Sequence, residues 1–456
     1  MLPREFLTQL QQLLPDEWQA LADAITGTEP SVSVRVNVRR DVEVPSGAQK
    51  VPWCPAGFYC PQRPAFTFDP DLHSGRYYVQ DASSMFIHHV LRTLAGDSPV
   101  RYLDLCAAPG GKTTAAIDAL PDQSLVVANE IVPARARVLY GNVVRWGYPG
   151  AVVTNAAPKA FAKLTNAFDI IAADVPCSGE GMMRKDDEAV EQWTPALVNE
   201  CAERQRAIID DVWPALRPGG LLIYSTCTYN RQENELMVEH IMRRYGATPI
   251  DVSVDLAWGI MPAIASEVPA YRFMPHRTRG EGLFMAVLRK PEQETRSKKQ
   301  TAPTASRKQP QYPQAVQWLE RPDDFVITMH DDALVAVPRQ WQELVQRLRD
   351  TLPVLLGGVT LATAKGKKLV PDHCLAQSTA LRRDAFAACE VDYATALRYL
   401  RGEAITIDAP AGYILITHRQ APLGWVNNLG NRANNLYPKS LRILSTHHPA
   451  TPPHIL

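Results

Sequence analysis

The stretch Asp104-Leu105-Cys106-Ala107-Ala108-Pro109-Gly110-Gly111-Lys112-Thr113-Thr114 decides how this chain is read. Residues 99–103 ahead of it form a short apolar strand pattern, and residues 113–120 behind it read as a helix. The paired glycines therefore sit on a strand-to-helix turn. Glycine lets backbone N–H groups come close to a ligand, and the first turn of a helix carries N–H donors with no intrahelical partner. Such a turn suits an anionic or carboxylate-bearing ligand.

Spacing separates three readings of the turn. A phosphate-binding loop requires G-x-x-x-x-G-K-[ST]; Gly111-Lys112-Thr113 supplies its end, but Cys106 stands where its first glycine belongs. A dinucleotide loop requires G-x-G-x-x-G, which residues 107–113 do not supply. Glu130 closes the next apolar run, residues 124–129, where a carboxylate can accept from ribose hydroxyls. The third reading is S-adenosylmethionine, held by its amino-acid end at the turn and by its ribose at Glu130. What lies downstream favours it.

At 456 residues the chain has room for two or three domains, and 46% hydrophobic residues argue for a folded, soluble protein. No run of about 18 apolar residues occurs, and residues 1–26 carry Arg4, Glu5, Asp16, Glu17 and Asp23 in place of an apolar leader. A cytoplasmic protein with no membrane partner is expected. Its eight cysteines show no dense spacing and read as reduced thiols; Cys54, Cys60 and His73 lack the close ligand pairs of zinc modules, so no metal is expected. Basic and acidic residues balance, 48 against 48, so nucleic-acid binding would need a local patch. Residues 289–310 hold seven basic and two acidic residues, and no acid follows Asp408.

In chain order, residues 3–26 read as an amphipathic helix with a break near Pro15. Residues 32–38 alternate as a strand whose polar face holds Arg35 and Asn37, and residues 45–70 read as a Pro-rich connector. Gln80, Asp81, Ser83 and Ser84 precede an apolar run ending near Leu94 and read as an N-cap cluster. From residue 100 strand and helix patterns alternate, predicting a parallel doubly wound α/β sheet with strands near 100–105, 124–129, 151–155, 168–173, 220–226, 247–252 and 282–289. Such sheets bind ligands at the carboxyl ends of their strands. The residues found there are Cys106, Glu130, Asn155, Asp174 and Cys227.

Cys177, in Asp174-Val175-Pro176-Cys177-Ser178-Gly179-Glu180-Gly181, and Cys227, in Tyr224-Ser225-Thr226-Cys227-Thr228-Tyr229, thus close neighbouring strands beside the turn. A thiolate beside a methyl donor suits the methylation of a pyrimidine at carbon 5, which is too weak a nucleophile unaided. Addition at carbon 6 makes the ring an enamine that attacks the methyl group, and loss of the carbon 5 proton then expels the thiol. Asp174 is placed to hydrogen-bond nitrogen 3. Chemistry alone lets either cysteine attack.

DLCAAPGGKTT, ANE ending at Glu130, DVPCSGEGMMRK, YSTCTYNRQENE and HSGRYYVQDASSM resemble the motifs of the Sun/Fmu-type RNA cytosine-5 methyltransferases. The ending GWVNNLGNRANNLYPKSLRI is similar to the tail of that family's bacterial, RsmF-like ribosomal branch, which carries a PUA-like domain. The likeness spans residues 1–290 and about 405–445. It implies that Cys106, Ala107, Ala108, Pro109, Gly110, Gly111 and Lys112 bind S-adenosylmethionine with Glu130, Asn155 and Asp174, that Asp174 lies between cofactor and base, that Cys227 is the nucleophile, and that Cys177 aids release. Members of the family it resembles commonly carry an Asp after the third strand, near the adenine, where this chain has Ala157, and Asn155 is the residue expected to compensate.

The expected fold is a Rossmann-like methyltransferase sheet with an N-terminal α+β extension and a C-terminal PUA-like, β-rich region. Its divisions fall at 1–95, 96–290, a linker 291–313, a small domain 314–380, and 381–456. The expected activity is methyl transfer to cytosine in RNA, with ribosomal RNA or the small ribosomal subunit as partner and a monomer as the acting form. A tRNA methyltransferase, a P-loop-like NTPase and a non-catalytic RNA-binding assembly factor are the rivals.

Overall fold

In a computed structural model that describes residues 1–42, 44, 47–292, 312–366, 368–445, 449–453 and 455, the expected N-terminal helix is two helices, Arg4–Leu13 and Trp18–Gly27. Pro15 disfavours a helical conformation at the residue before it, and Leu14 leaves the helix at φ −135°. Phe6, Leu10 and Leu13 share the buried face, Phe6 lying edge-on to Trp193 at 5.3 Å.

Four strands follow, β1 (Val32–Val36), β2 (Lys50–Val51), β3 (Cys54–Cys60) and β4 (Tyr77–Val79), in the order β2-β3-β1-β4. The expected connector over residues 45–70 therefore contains two strands. Its alternation is broken at Gly57, where an added Cβ would lie 2.6 Å from the sulfur of Met85. The polar face expected on β1 is not solvated: Ser33, Arg35 and Asn37 are all buried. The guanidinium of Arg35 lies along the Gly111–Ala119 helix, pairing with Asp118 and donating to Thr114 Oγ1 at 2.5 Å and Gln80 Oε1 at 2.9 Å, with the Trp146 ring 4.6 Å away. Asn37 donates to the carbonyls of Gly75 (2.9 Å) and Trp146 (3.0 Å).

The central sheet contains β5 (Arg101–Asp104), β6 (Leu125–Asn129), β7 (Ala151–Thr154), β8 (Phe168–Asp174), β9 (Leu216–Thr226), β10 (Thr248–Ile250), β11 (Tyr271–Phe273) and β12 (Leu283–Arg289). Its order is β10-β12-β9-β8-β5-β6-β7, and β5 to β9 run parallel. The edge departs from the all-parallel expectation: β12 is antiparallel to β9, and β10 and β11 are antiparallel to β12. Both faces are covered. Tyr102, Val126, Ile170 and Ile223 pack toward the N-terminal strands and Phe86, while Leu103, Val127, Ile171 and Tyr224 pack toward Ile209, Met237 and Ile241. Two-sided burial explains why these strands read as near-continuous apolar runs.

Beyond it lie β13 (Phe325–His330), β14 (Ala333–Pro338), β15 (Val354–Gly357), β16 (Val359–Lys365) and β17 (Lys368–Pro371), then β18 (Ala387–Glu390), β19 (Gly412–His418), β20 (Ala421–Asn428) and β21 (Ala433–Asn435). β15 pairs antiparallel with β7, so a strand from the 314–380 stretch extends the central sheet. β18 to β21 form a sheet of their own. The blocks are tied by polar contacts: Arg40 donates to the Gln377 carbonyl (2.6 Å), the Thr379 N–H to the Gly147 carbonyl (2.9 Å), the Trp425 indole to the Asp372 carbonyl (2.8 Å), and Arg419 pairs with Asp71 (2.6 Å). Most of the expected linker, and of the basic stretch 289–310, falls on residues 293–311, outside the described residues. Among the described residues no helix is long and apolar enough to cross a membrane, and no group of three or more His, Cys, Asp or Glu side chains could hold a metal ion.

Candidate active site

The turn after β5 takes its shape from glycine. Gly110 sits at φ +115°, a backbone state that side chains disfavour, and the helix starts at Gly111. Asn142 donates to the Pro109 carbonyl (2.8 Å) and Arg135 to the Ala108 carbonyl (3.0 Å), so the Pro133–Trp146 helix holds the loop from behind. Ala107 donates its N–H to the Asn129 carbonyl at 2.8 Å. Cys106 is half-buried, and burial pushes its thiol well above the ordinary range.

Two carboxylates lie at the strand ends beside this loop. Glu130 is buried; one oxygen accepts the Val132 N–H (2.9 Å) and the other lies 3.4 Å from Arg135. Asp104 is buried too, and accepts the Thr113 hydroxyl at 2.6 Å. Burial pushes its carboxyl up to about 7, with the charge of Asp174 acting in the same direction. Sequence reading passed over Asp104 as a site residue, although it ends β5 inside the deciding stretch. The signal available was an acid closing the strand that leads into the glycine turn.

Asn155 stands at the expected strand end, but its amide is spent on the carbonyls of Glu130 (2.6 Å) and Ile131 (3.0 Å). It braces the Glu130 loop. Gly111-Lys112-Thr113, which fits the end of a phosphate loop, is otherwise engaged: Thr113 serves Asp104, and the Lys112 ammonium meets Asp174 at 2.8 Å. Burial alone would lower the Lys112 pKa, but the charge of Asp174 and the hydrogen bond to it hold it above its ordinary value. The second oxygen of Asp174 accepts the Ser225 hydroxyl at 2.7 Å.

The parallel register of β8 and β9 sets Asp174 beside Ser225 and delivers both cysteines to one place. Cys177 Sγ and Cys227 Sγ are 3.0 Å apart as free thiols, and the Cys227 N–H points at Cys177 Sγ at 3.3 Å. The Cys177 thiol is pushed well above the ordinary range, first by its hydrogen bond to Cys227 and then by burial. The site thus gathers Cys106, the glycine turn, Lys112, Glu130, Asp174, Cys177 and Cys227. Sequence reading missed the acids beneath the two thiol loops, Glu180 and Glu233, both fully buried. Their signal was an acid a few positions beyond each cysteine, Glu180 three after Cys177 and Glu233 six after Cys227.

Among solved structures, this fold is similar to a methyltransferase homologue from Pyrococcus horikoshii (TM-score 0.53, 24% identity, 63% of this chain and 95% of that one). It is also similar to NSun6 from the same organism (TM-score 0.54, 20% identity, 64% and 99%). Open sheet, glycine turn and strand-end carboxylates place the central domain in the Rossmann-like class. Family models for the 16S rRNA methyltransferase RsmB/F, the N-terminal domain of 16S rRNA methyltransferase RsmF and the methyltransferase RsmF PUA domain match residues 91–289, 2–82 and 386–443. Proteins named ribosomal RNA small subunit methyltransferase F are 32% identical in Erwinia tasmaniensis (96% of each chain) and 30% identical in Cronobacter sakazakii (96% of each). The chain belongs to the RsmB/F methyltransferase family and is an RNA methyltransferase.

Proposed function

We propose that this protein transfers a methyl group from S-adenosylmethionine to carbon 5 of a cytosine in small-subunit ribosomal RNA, through a covalent bond between Cys227 and carbon 6. The observation that carries the reading is the thiol pair, 3.0 Å apart at the ends of neighbouring strands and beside Asp174.

The donor set fits the cofactor. The turn from Cys106 to Lys112 opens a helix whose first N–H groups suit a carboxylate, buried Asp104 suits an ammonium, and Glu130 keeps acceptor capacity for ribose hydroxyls. When bound, S-adenosylmethionine supplies the electrophilic methyl group. Cys227 adds to carbon 6, while Asp174, steadied by Lys112 and Ser225, hydrogen-bonds the polar edge of the base. Carbon 5 then takes the methyl group, its proton passes to a base, and the bond from carbon 6 to Cys227 breaks to return the thiolate, with Cys177 beside it to assist release.

The stretch after Asp408, free of acids, and the β18–β21 sheet are assigned to RNA docking, within the division 1–95, 96–290, 291–313, 314–380 and 381–456. We take the acting form to be a cytoplasmic monomer. The test is incubation with methyl-labelled S-adenosylmethionine and either small-subunit RNA, free and in particles, or tRNA, followed by nucleoside mass spectrometry. Label in 5-methylcytidine is expected. Label in another nucleoside overturns the chemistry, and label only in tRNA overturns the substrate.

A further inference from the structure

Two fully buried carboxylates cross between the loops that carry the thiols. Glu233, which follows Cys227 in sequence, reaches back to the Cys177 loop. It accepts the Ser178 N–H (3.0 Å), the Ser178 hydroxyl (2.5 Å), and the amides of Asn230 (2.7 Å) and Gln205 (2.7 Å). Gln205 also donates to the Pro176 carbonyl at 3.0 Å, so both neighbours of Cys177 are held. Glu180, which follows Cys177, reaches the other way. It accepts the N–H groups of Tyr229 (2.7 Å) and Asn230 (2.9 Å) just beyond Cys227, together with the Trp193 indole (3.0 Å) and the Gln9 amide (2.8 Å). The Asn230 amide bridges the two acids, 2.7 Å from Glu233 and 3.1 Å from Glu180, and the Gly181 N–H closes the crossing on the Cys227 carbonyl at 2.9 Å.

Among the described ion pairs, neither acid is matched with a cation; polar N–H and O–H groups offset their burial. A carboxylate accepts from several directions at both oxygens, whereas an amide would turn one acceptor into a donor facing other donors. We propose that Glu233 and Glu180 are reciprocal positioning residues, Glu233 fixing the place of Cys177 and Glu180 fixing the place of Cys227. Neither touches a thiol. The inference rests on the covalent reading above, and it assigns each acid to a different stage: Glu180 to bond formation at Cys227, Glu233 to release at Cys177.

The test measures turnover, RNA trapped on denaturing gels and S-adenosylmethionine affinity for Glu233→Gln, Glu180→Gln, the milder Ser178→Ala, and Cys177→Ala as reference. Glu233→Gln should lower turnover about tenfold or more, the scale of a lost hydrogen bond to a charged group, while trapped RNA rises and cofactor affinity holds. Glu180→Gln should lower turnover and trapped RNA together. Ser178→Ala should shift the balance as Glu233→Gln does, by a smaller factor, and it decides the matter if Glu233→Gln does not fold. Trapping by Cys177→Ala with no rise in trapped RNA for Glu233→Gln or Ser178→Ala overturns the assignment of Glu233, and undiminished trapping in folded Glu180→Gln overturns that of Glu180. No trapping by either Cys177→Ala or Cys227→Ala overturns the covalent reading itself, and trapping by Cys227→Ala alone overturns the stages assigned to the two acids.

Discussion

Cys177 and Cys227 hold their sulfur atoms 3.0 Å apart although 50 residues separate them. The parallel pairing of β8 with β9, Asp174 opposite Ser225, makes this possible: each strand runs out a few residues later into a loop that turns over the same crevice. A carbon atom bonded to one sulfur would lie within reach of the other, so a division of labour between the thiols is a geometric option for the site. The lysine and acids around them set the charge.

Asp104 should leave a mark on stability. Its carboxyl is raised to about 7 in the fold from an ordinary value of 3.8, so between those values the native state binds more protons than the unfolded chain. This group's contribution to stability therefore falls as pH rises from about 4 to about 7 and is flat above. Denaturant unfolding of wild type and Asp104→Asn across pH 4–8 should show the wild type losing stability relative to the variant over that window. A constant difference would place the Asp104 carboxyl near its ordinary value.

A second expectation concerns the seam between the N-terminal strands and the cofactor turn. Arg35 and Asp118 are both fully buried at the side chain, and Arg35 also serves Thr114 and Gln80. Arg35→Met leaves Asp118, whose carboxyl burial already pushes up to about 6, buried without its cation, so that it must stay charged alone or take up a proton, and should cost about 3–5 kcal/mol. Adding Asp118→Asn removes the orphan charge and should recover part of the loss. If the double variant is as unstable as the single one in urea unfolding, the pair's charge is not what matters there.

That seam also shows where sequence reading ends. Parallel strands were legible because two-sided burial writes apolar runs, and the turn was legible because only glycines permit it. Arg35 looked like the solvated face of a half-buried strand, since its partner Asp118 lies 83 residues away and no local pattern announces a pairing at that distance. β15 was missed as part of the central sheet for the same reason, as its partner β7 lies some 200 residues earlier. β2 and β3 were hidden by prolines and by Gly57. At the site, the thiols and Glu130 were legible from strand ends, whereas the crossing of Glu180 and Glu233 depends on which loop folds over which.

Because β15 caps the edge of β7, a chain ending at Lys290 should lose that pairing and aggregate, so RNA docking is better tested in the full protein. Arg432 and Lys439 are exposed beyond the last acid, Asp408. If they meet phosphates, changing both to Ala should weaken RNA binding across sequences and make its salt dependence shallower by about one per lost contact, with cofactor affinity unchanged. Filter binding over a salt series measures both. Unaltered affinity and slope would remove these residues from the interface.

The roles of the cysteines leave different traces. Without the attacking thiol no bond to RNA forms; without the releasing group the bond forms and outlives methyl transfer. Cys227→Ala should abolish both activity and adduct, while Cys177→Ala should accumulate a protein–RNA species that survives denaturing electrophoresis. In the double variant no adduct should appear, because release is irrelevant where attack never occurs. The hydrogen bond to Cys227 and burial hold the Cys177 thiol in its neutral form, which suits a group that gives a proton to the departing sulfur better than one that attacks as a thiolate. Adduct in Cys227→Ala but not in Cys177→Ala would exchange the two roles, and adduct in neither would remove the covalent step from the mechanism.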